Sequence, residues 1–463
     1  MLIPINITGS VSKNRANSLS NQQTFGFYPE ATKEGFVLRS FPGLKHFALG
    51  NGYCRGADVR ENFIYHVQGS KLYSINVSGT VTLIGNIPGT SRCIFSGIGD
   101  NVVIVSDGIV NYWNGVTLSI ATDIDFETPN SATHLNNRVI YDGDGGRWAC
   151  SDVGNAISIN ALNYSTAESH FDSLVRVYAY DQILYLFGTR TIEPHWDSGV
   201  GRPPYERMQQ IIQVGLGALH SVVSNDNGIY FLGDDKNFYF LKGTSYQRVS
   251  TIPIATEISA FDGVSDCEAN AFTYQGQNFI SFTFPGANRT FVLNESVGVE
   301  SGWFELSASN DIGTKKRYIG SSFLFFDGKT LVTDSANGNI YELSTNVYQD
   351  ANLEVLRLRD TATFHGGMIG KPGKLITMSR FELLMETGVG TDSIPYVVLQ
   401  VSDDGGRTFS NEMWSSAGKA GEFIWKVEWL GLGSFYNRIL RVKTSGNFFW
   451  SIHSAAADIS VGL

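Results

Sequence analysis

Charge is what this sequence has least of. Only 17% of its 463 residues are charged, against roughly 25% in an average soluble protein, a composition that suits a chain burying much of its surface against neighbours. The charge present is acidic, with 34 Lys and Arg against 44 Asp and Glu and a net charge of −10. No basic run or arginine-rich helix interrupts it, so the molecule as a whole should repel nucleic acid rather than grip it. Cysteine is scarce: Cys54, Cys93, Cys150 and Cys267 lie far apart, with no C-x-x-C pair. This argues against a zinc knuckle or redox dithiol and for free thiols made in a reducing cytoplasm. No run of about 18 apolar residues exists to span a membrane as a helix. The first residues, "MLIPINITGSVSKNR", lack the charged start and apolar stretch of a secretory signal, so the five N-x-[ST] sequons read as chance. G-x-S-x-G, Walker and H-E-x-x-H motifs are all missing.

Glycine and aromatics are plentiful, with 50 Gly, 30 Phe and 20 Tyr. Glycine turns between β-branched and aromatic runs mean short, closely spaced strands. Strand–turn–strand units recur with turns at Gly69, Gly108, Gly145, Gly188, Gly228, Gly276 and Gly328, at intervals of 39, 37, 43, 40, 48 and 52 residues. A loose period of this length is the signature of propeller blades. Asp107-Gly108, Asp142-Gly143, Asn227-Gly228 and Asp327-Gly328 supply the positive φ that tight hairpins need. After Leu356 the pattern changes. "EFIWKVEWLG" alternates, with Phe423, Trp425, Val427 and Trp429 on one face and Ile424, Lys426 and Glu428 on the other. "RFELLM" and "IPYVVLQVSDDGG" are further strand candidates. Long helices are not evident, and "RMQQIIQ" (Arg207–Gln213) has room for two turns at most. The expectation is an all-β chain: an N-terminal arm (1–44), a β-propeller of about seven blades (45–356) and a C-terminal antiparallel β-sandwich (357–463).

Three stretches invite chemistry. "SDDGGRTFS" places Ser402, Asp404, Gly406, Thr408 and Phe409 in the S-x-D-x-G-x-T-[WF] spacing of an Asp box, which resembles the boxes of sialidases and other propeller proteins. Here there is one box, outside the repeats, and no F-R-I-P or Y-R-I-P segment accompanies it. Its local logic is that of a turn in which the carboxylate accepts backbone N–H groups. "TIEPHWDSG" gathers Glu193, His195 and Asp197 on one strand face, a possible acid–base group with no second cluster to complete it. Asp142 and Asp144 lack a further carboxylate at EF-hand spacing and read as a hairpin turn. No catalytic residue, cofactor site or metal site is expected. A propeller glycan-binding protein or glycoside hydrolase is the alternative reading, supported by the box and the eight tryptophans.

A more specific likeness lies in "FYPEATKEGFVLRSFPGLKHF" (Phe27–Phe47). Its Y-P-E element followed by L-R-S-F-P-G resembles the packaged-DNA stabilisation, or tail hub, proteins of short-tailed bacteriophages. "LYLFGTRTIEPHWDSG", "VSDDGGRTFSNEMW" and "YNRILRVKTSG" resemble later elements of that family in the same order. The resemblance implies a virion tail protein made in the host cytoplasm. It implies a hexameric ring below the portal and its adaptor, carrying needle, tailspike or fibre proteins, with double-stranded DNA passing through and not held by sequence. A cyclic ring needs two complementary patches per subunit, which propeller faces and loops can provide. Within "LRSFPG", Arg39, Phe41, Pro42 and Gly43 are the candidate assembly residues: Pro42 fixes φ, Gly43 permits a turn, and Phe41 offers an aromatic anchor beside a guanidinium. A plain lead-in turn to the first blade is the other reading of the same residues.

Overall fold

The computed structural model of the chain describes residues 1–8, 23–33, 35–122, 128–167, 172–308, 316–388, 394–444 and 446–462. Among these residues the structure is almost wholly β, with one α-helix, Ile252–Ser259. Five antiparallel four-stranded sheets follow one another along the chain: blade 1 (54–86), blade 2 (94–120), blade 3 (132–166), blade 4 (174–207) and blade 5 (223–248). Blade 6 (268–306) and blade 7 (320–344) continue the series, and each extends into strands from elsewhere in the chain. The first strand of blade 7, Gly320–Phe326, packs beside that of blade 1, Cys54–Arg60, so the series closes into a propeller ring. Each glycine turn noted in the sequence falls in a different blade. Those at Gly69, Gly108, Gly145 and Gly188 join second and third strands, and those at Gly228, Gly276 and Gly328 join first and second strands.

Blades pack face to face, so their middle strands are buried on both sides and read as unbroken apolar runs. Val102–Ser106 and Gly228–Leu232 are buried throughout. Aromatic rings fill the wedges between blades: Phe187 meets Phe231 between blades 4 and 5, and Phe238 stacks on Phe282 at 3.9 Å between blades 5 and 6. Each such side chain is worth roughly 1.5–3 kcal/mol of burial. Aspartates tie the loops between blades. Asp107 accepts the N–H groups of Thr90 and Ser91, and Asp142 those of Asn130 and Ser131. The Ser91 hydroxyl and these N–H groups hold Asp107 down at about 2, whereas burial pushes Asp142 up to about 6.

Of residues 1–44, expected as an arm, the described ones are instead built into both bodies, and residues 9–22 and 34 lie outside the described residues. Leu2–Ile5 pairs with the late strand Ser451–Val461, and the hairpin Phe27–Thr32/Gly35–Ser40 joins the same strand through Leu38 and Arg39. With Ile376–Met385, Val427–Leu430 and Ser434–Phe435 they form one sheet of the sandwich. The other sheet carries Arg357–Asp360, Asn437–Thr444, Tyr396–Ser402 and Met413–Ser416. The core between them includes Phe27, Leu38, Phe381, Leu399, Val442 and Trp450. The next strand, Gly43–Ala48, pairs with Ile340–Ser344 and supplies the outer strand of blade 7.

Two local expectations change. The strand in "EFIWKVEWLG" spans only Val427–Leu430, with Val427 and Trp429 facing the core as expected. Pairing with Ile376–Met385 reaches Val427 and stops; Phe423, Ile424 and Trp425 sit in an exposed loop whose preceding turn is held by a Gly421 N–H to Gly388 bond. Arg207–Gln213 makes no helix: Tyr205–Arg207 ends blade 4 and Ile212 bridges to Ile192.

Candidate functional site at the propeller axis and the sandwich joint

The first strands of the blades surround the propeller axis, and side chains cross it. Arg92, in the loop before blade 2, donates to Glu268 of blade 6 at 2.9 Å and to the hydroxyl and carbonyl of Ser321 in blade 7 at 2.7 and 3.0 Å. Blades 2 and 6 are not neighbours in the ring, so the guanidinium bridges across the middle. Asn270 adds a bond to the Ser321 carbonyl at 3.0 Å. Arg176 of blade 4 donates to the Leu219 carbonyl at 2.7 Å. Burial and the charges of Arg92 and Arg176 hold His220 well below the ordinary histidine range, which keeps it neutral. Short hydrogen bonds among the described residues thus cross the axis.

The second feature is the joint between the bodies. The short strand Thr24–Phe25 pairs in parallel with Trp303–Leu306 of blade 6 and antiparallel with Arg357–Asp360 of the sandwich, so one sheet runs from propeller into sandwich. Two arginines that are almost fully buried brace it. Arg359 donates to the Ile7 carbonyl at 2.6 Å and to the Thr24 hydroxyl. Arg357 donates to the Tyr348 carbonyl at 2.7 Å and reaches the carbonyls of Phe41 and Gly446. Burial draws both guanidiniums down to about 10. Beside them burial pushes Asp350 up to about 7, against the pull of Arg357. Nothing in the local sequence flagged these arginines, because Arg359 meets Ile7 and Thr24, and Arg357 reaches Phe41, more than 300 positions away.

The residues singled out in the sequence are dispersed. In the Asp box, the Asp404 carboxylate accepts the hydroxyl and N–H of Thr408, the Ser402 hydroxyl and the Arg407 N–H. These bonds hold it well below the usual carboxylate range. Ser402 Oγ also accepts the Gly406 N–H at 2.8 Å, and Phe409 lies 3.5 Å beneath the Arg441 guanidinium. The box is a closed turn on the sandwich. Glu193 and His195 are buried 3.5 Å apart, with His195 edge-on to Trp148 of blade 3, while Asp197 takes a bond from Asn136. Asp142 and Asp144 hold turn and loop groups. Of the "LRSFPG" residues, Arg39 is partly exposed and pairs with Glu30 at 2.6 Å. Phe41, Pro42 and Gly43 are buried, Phe41 among Phe272, Phe279, Phe304 and Tyr318. Gly43 has no positive φ; an added Cβ would lie 2.5 Å from backbone atoms of Gln349. Its lack of a side chain permits close strand approach, not a turn. In "YNRILRVKTSG" the cations are paired within the chain: Arg438 with Asp403, Arg441 with Asp360 and Lys443 with Glu412, each at 2.7 Å.

A closed ring of blades joined through a shared sheet to a terminal sandwich defines a propeller–sandwich protein. Within that class the chain belongs to the phage stabilisation proteins of the Bacteriophage P22 Gp10 family, whose β-propeller model matches residues 15–348 and whose β-sandwich model matches residues 362–460. The family is one of phage tail components. No curated protein sequence matches the chain. Among solved structures it is similar to a streptogramin B lyase at 13% identity and a TM-score of 0.44, covering 65% of this chain and 97% of that one. It is also similar to BamB from Moraxella catarrhalis at 9% identity and a TM-score of 0.38, covering 74% and 95%.

Proposed function

We propose that six copies of this protein form a ring beneath the portal adaptor, carry a needle, tailspike or fibre protein, and stabilise packaged DNA without catalysis. The observation that carries this reading is membership of the stabilisation family across both bodies. DNA travels through the hole between copies, because the axis of each propeller is bridged by Arg92. A net charge of −10 and the intramolecular pairing of the late basic strand keep that passage from gripping phosphate. Retention then comes from a plug that closes the conduit. The shared sheet keeps propeller and sandwich in one orientation, which suits a subunit that must present two different patches to its neighbours. Several weak contacts made at once on the adaptor stabilise the ring by avidity. Particles assembled without this protein are expected to fill with DNA and then lose it, measured as nuclease-sensitive genome after packaging. Particles that keep their genome and infect normally would overturn the proposal.

A further inference from the structure

A guanidinium carries five N–H donors and no acceptor, so inside a protein it needs oxygens around it. Arg55 gives five hydrogen bonds, to the carbonyls of Gly69, Ile87, Pro88 and Ser91 and to the Ser106 hydroxyl. Arg289 is shared by Glu257 and Glu305. Arg176, on the first strand of blade 4, is far less well supplied. Among the described residues it makes one hydrogen bond, 2.7 Å to the Leu219 carbonyl, and its Nε is buried with no partner. Its guanidinium lies 5.2 Å from the centre of the Tyr178 ring. The charge of Asp142 reaches it, but that carboxylate accepts the N–H groups of Asn130 and Ser131 and forms no ion pair with Arg176 among the described residues. A cation withdrawn from water without a counter-ion is costly, and buried charges are ordinarily paired.

A chain of bonds places this guanidinium beside the one that crosses the axis. Leu219, which takes Arg176, is followed by His220, whose carbonyl accepts the Ala269 N–H at 2.9 Å. Ala269 follows Glu268, which accepts from Arg92 at 2.9 Å. The charges of Arg92 and Arg176 both bear on His220, so two guanidiniums and a neutral imidazole gather at one end of the axis. Glu268 balances Arg92, and one positive charge is left over. Arg176, Tyr178, Ser224 and Ala271, on the strands that surround the axis, are only half-buried, so solvent reaches them. We propose that this end of the propeller axis binds one small tetrahedral oxyanion, phosphate or sulfate, with Arg176 as its principal donor and His220 and Arg92 beside it. The planar fork of a guanidinium presents parallel N–H groups that match two oxygens of such an ion. Bonds from Arg92 and Asn270 to Ser321 cross the axis at the same end, which suits a compact ligand. The bound ion links blade 4 to the bridge between blades 2, 6 and 7, and so stabilises the closed ring by mass action.

The site lies within one chain, so its test needs no assembled tail. Inorganic phosphate is titrated calorimetrically into the full-length chain near neutral pH, with ionic strength held constant by sodium chloride, and the titration is repeated with sulfate. Both ions are expected to bind saturably, one per chain, and to raise the thermal unfolding midpoint as they do so. Arg176→Gln removes a charge-assisted contact and is expected to weaken binding by about tenfold or more. Arg176→Lys keeps the charge without the fork and should recover part of that loss. Phosphate and sulfate that give no more heat or stabilisation than chloride at matched ionic strength would overturn the proposal on the unsubstituted chain alone. Unchanged affinity in a folded Arg176→Gln chain would put the ion elsewhere and overturn the assignment to the axis.

Discussion

A carboxyl group with no water around it titrates late, and Asp350 is such a group. It lies in the short strand Gln349–Asp350, which pairs in parallel with Leu44 where the propeller closes and the sandwich begins. Burial raises it to about 7 against the opposing pull of Arg357. An acid whose folded-state affinity for protons exceeds its unfolded one adds stability that is fully present below about pH 4 and is lost as pH rises to about 7. Asp350→Asn removes that loss while leaving Arg357 its carbonyl partners. The variant is expected to gain on the unsubstituted protein between about pH 4 and 7, by an amount on the order of a few kcal/mol at roughly 1.4 kcal/mol per pKa unit. Thermal unfolding of the two proteins at several pH values checks this. A gap that does not widen with pH would show that Asp350 ionises freely.

At the scale of single elements, the strand Gly43–Ala48 decides whether the ring is shut. On the side away from Ile340–Ser344 it passes Val347–Gln349 only because Gly43 has no side chain: a Cβ there would lie 2.5 Å from Gln349 N and O. Gly43→Ala must part the two backbones, and overpacking of this kind costs about 1–3 kcal/mol. A lowered urea midpoint for the propeller is the expected reading, and a loss below about 0.5 kcal/mol would contradict the close approach. This strand also marks where legibility ended. Blades were readable because each is a local meander whose glycine turns sit a few residues from the strands they join. The closing strand pairs with residues about 300 positions away, and Leu2–Ile5 pairs with Ala455–Asp458. Such pairing leaves no local signature, so the first residues read as a polar arm. The Asp box was legible as a turn because all its bonds fall within five residues. Phe41 was visible as an aromatic anchor, but only the folded chain reveals that its socket lies inside the same molecule.

For the whole molecule, the shared sheet means that the sandwich is not a separable unit. Residues 357–463 alone would lack Leu2–Ile5 and the hairpin Phe27–Ser40, and with them Ile3, Ile5, Phe27 and Leu38 of the core. They would also lose the Ile7 carbonyl and Thr24 hydroxyl that satisfy Arg359. Leaving a buried charge without its partners costs about 3–5 kcal/mol. The fragment is expected to be unfolded or aggregated, seen as absent near-UV circular dichroism and poor amide dispersion. A fragment with native-like dispersion would show that the early strands are ornament.

The same wiring sets an order on synthesis. A chain emerging N-terminus first can shut its propeller once Ile340–Ser344 has appeared, since the strand that closes it was made long before. The sandwich has no such head start. Its central strand, Ser451–Val461, is translated long after its partners, and until then Leu2–Ile5 and Gly35–Ser40 wait with bare edges. A chain broken off before Ser451 can therefore own a finished propeller and still be recognisable as scrap, its unpaired strands open to proteases and chaperones. Leu2–Ile5 and Gly35–Ser40 act as a receipt that only Ser451–Val461 can sign.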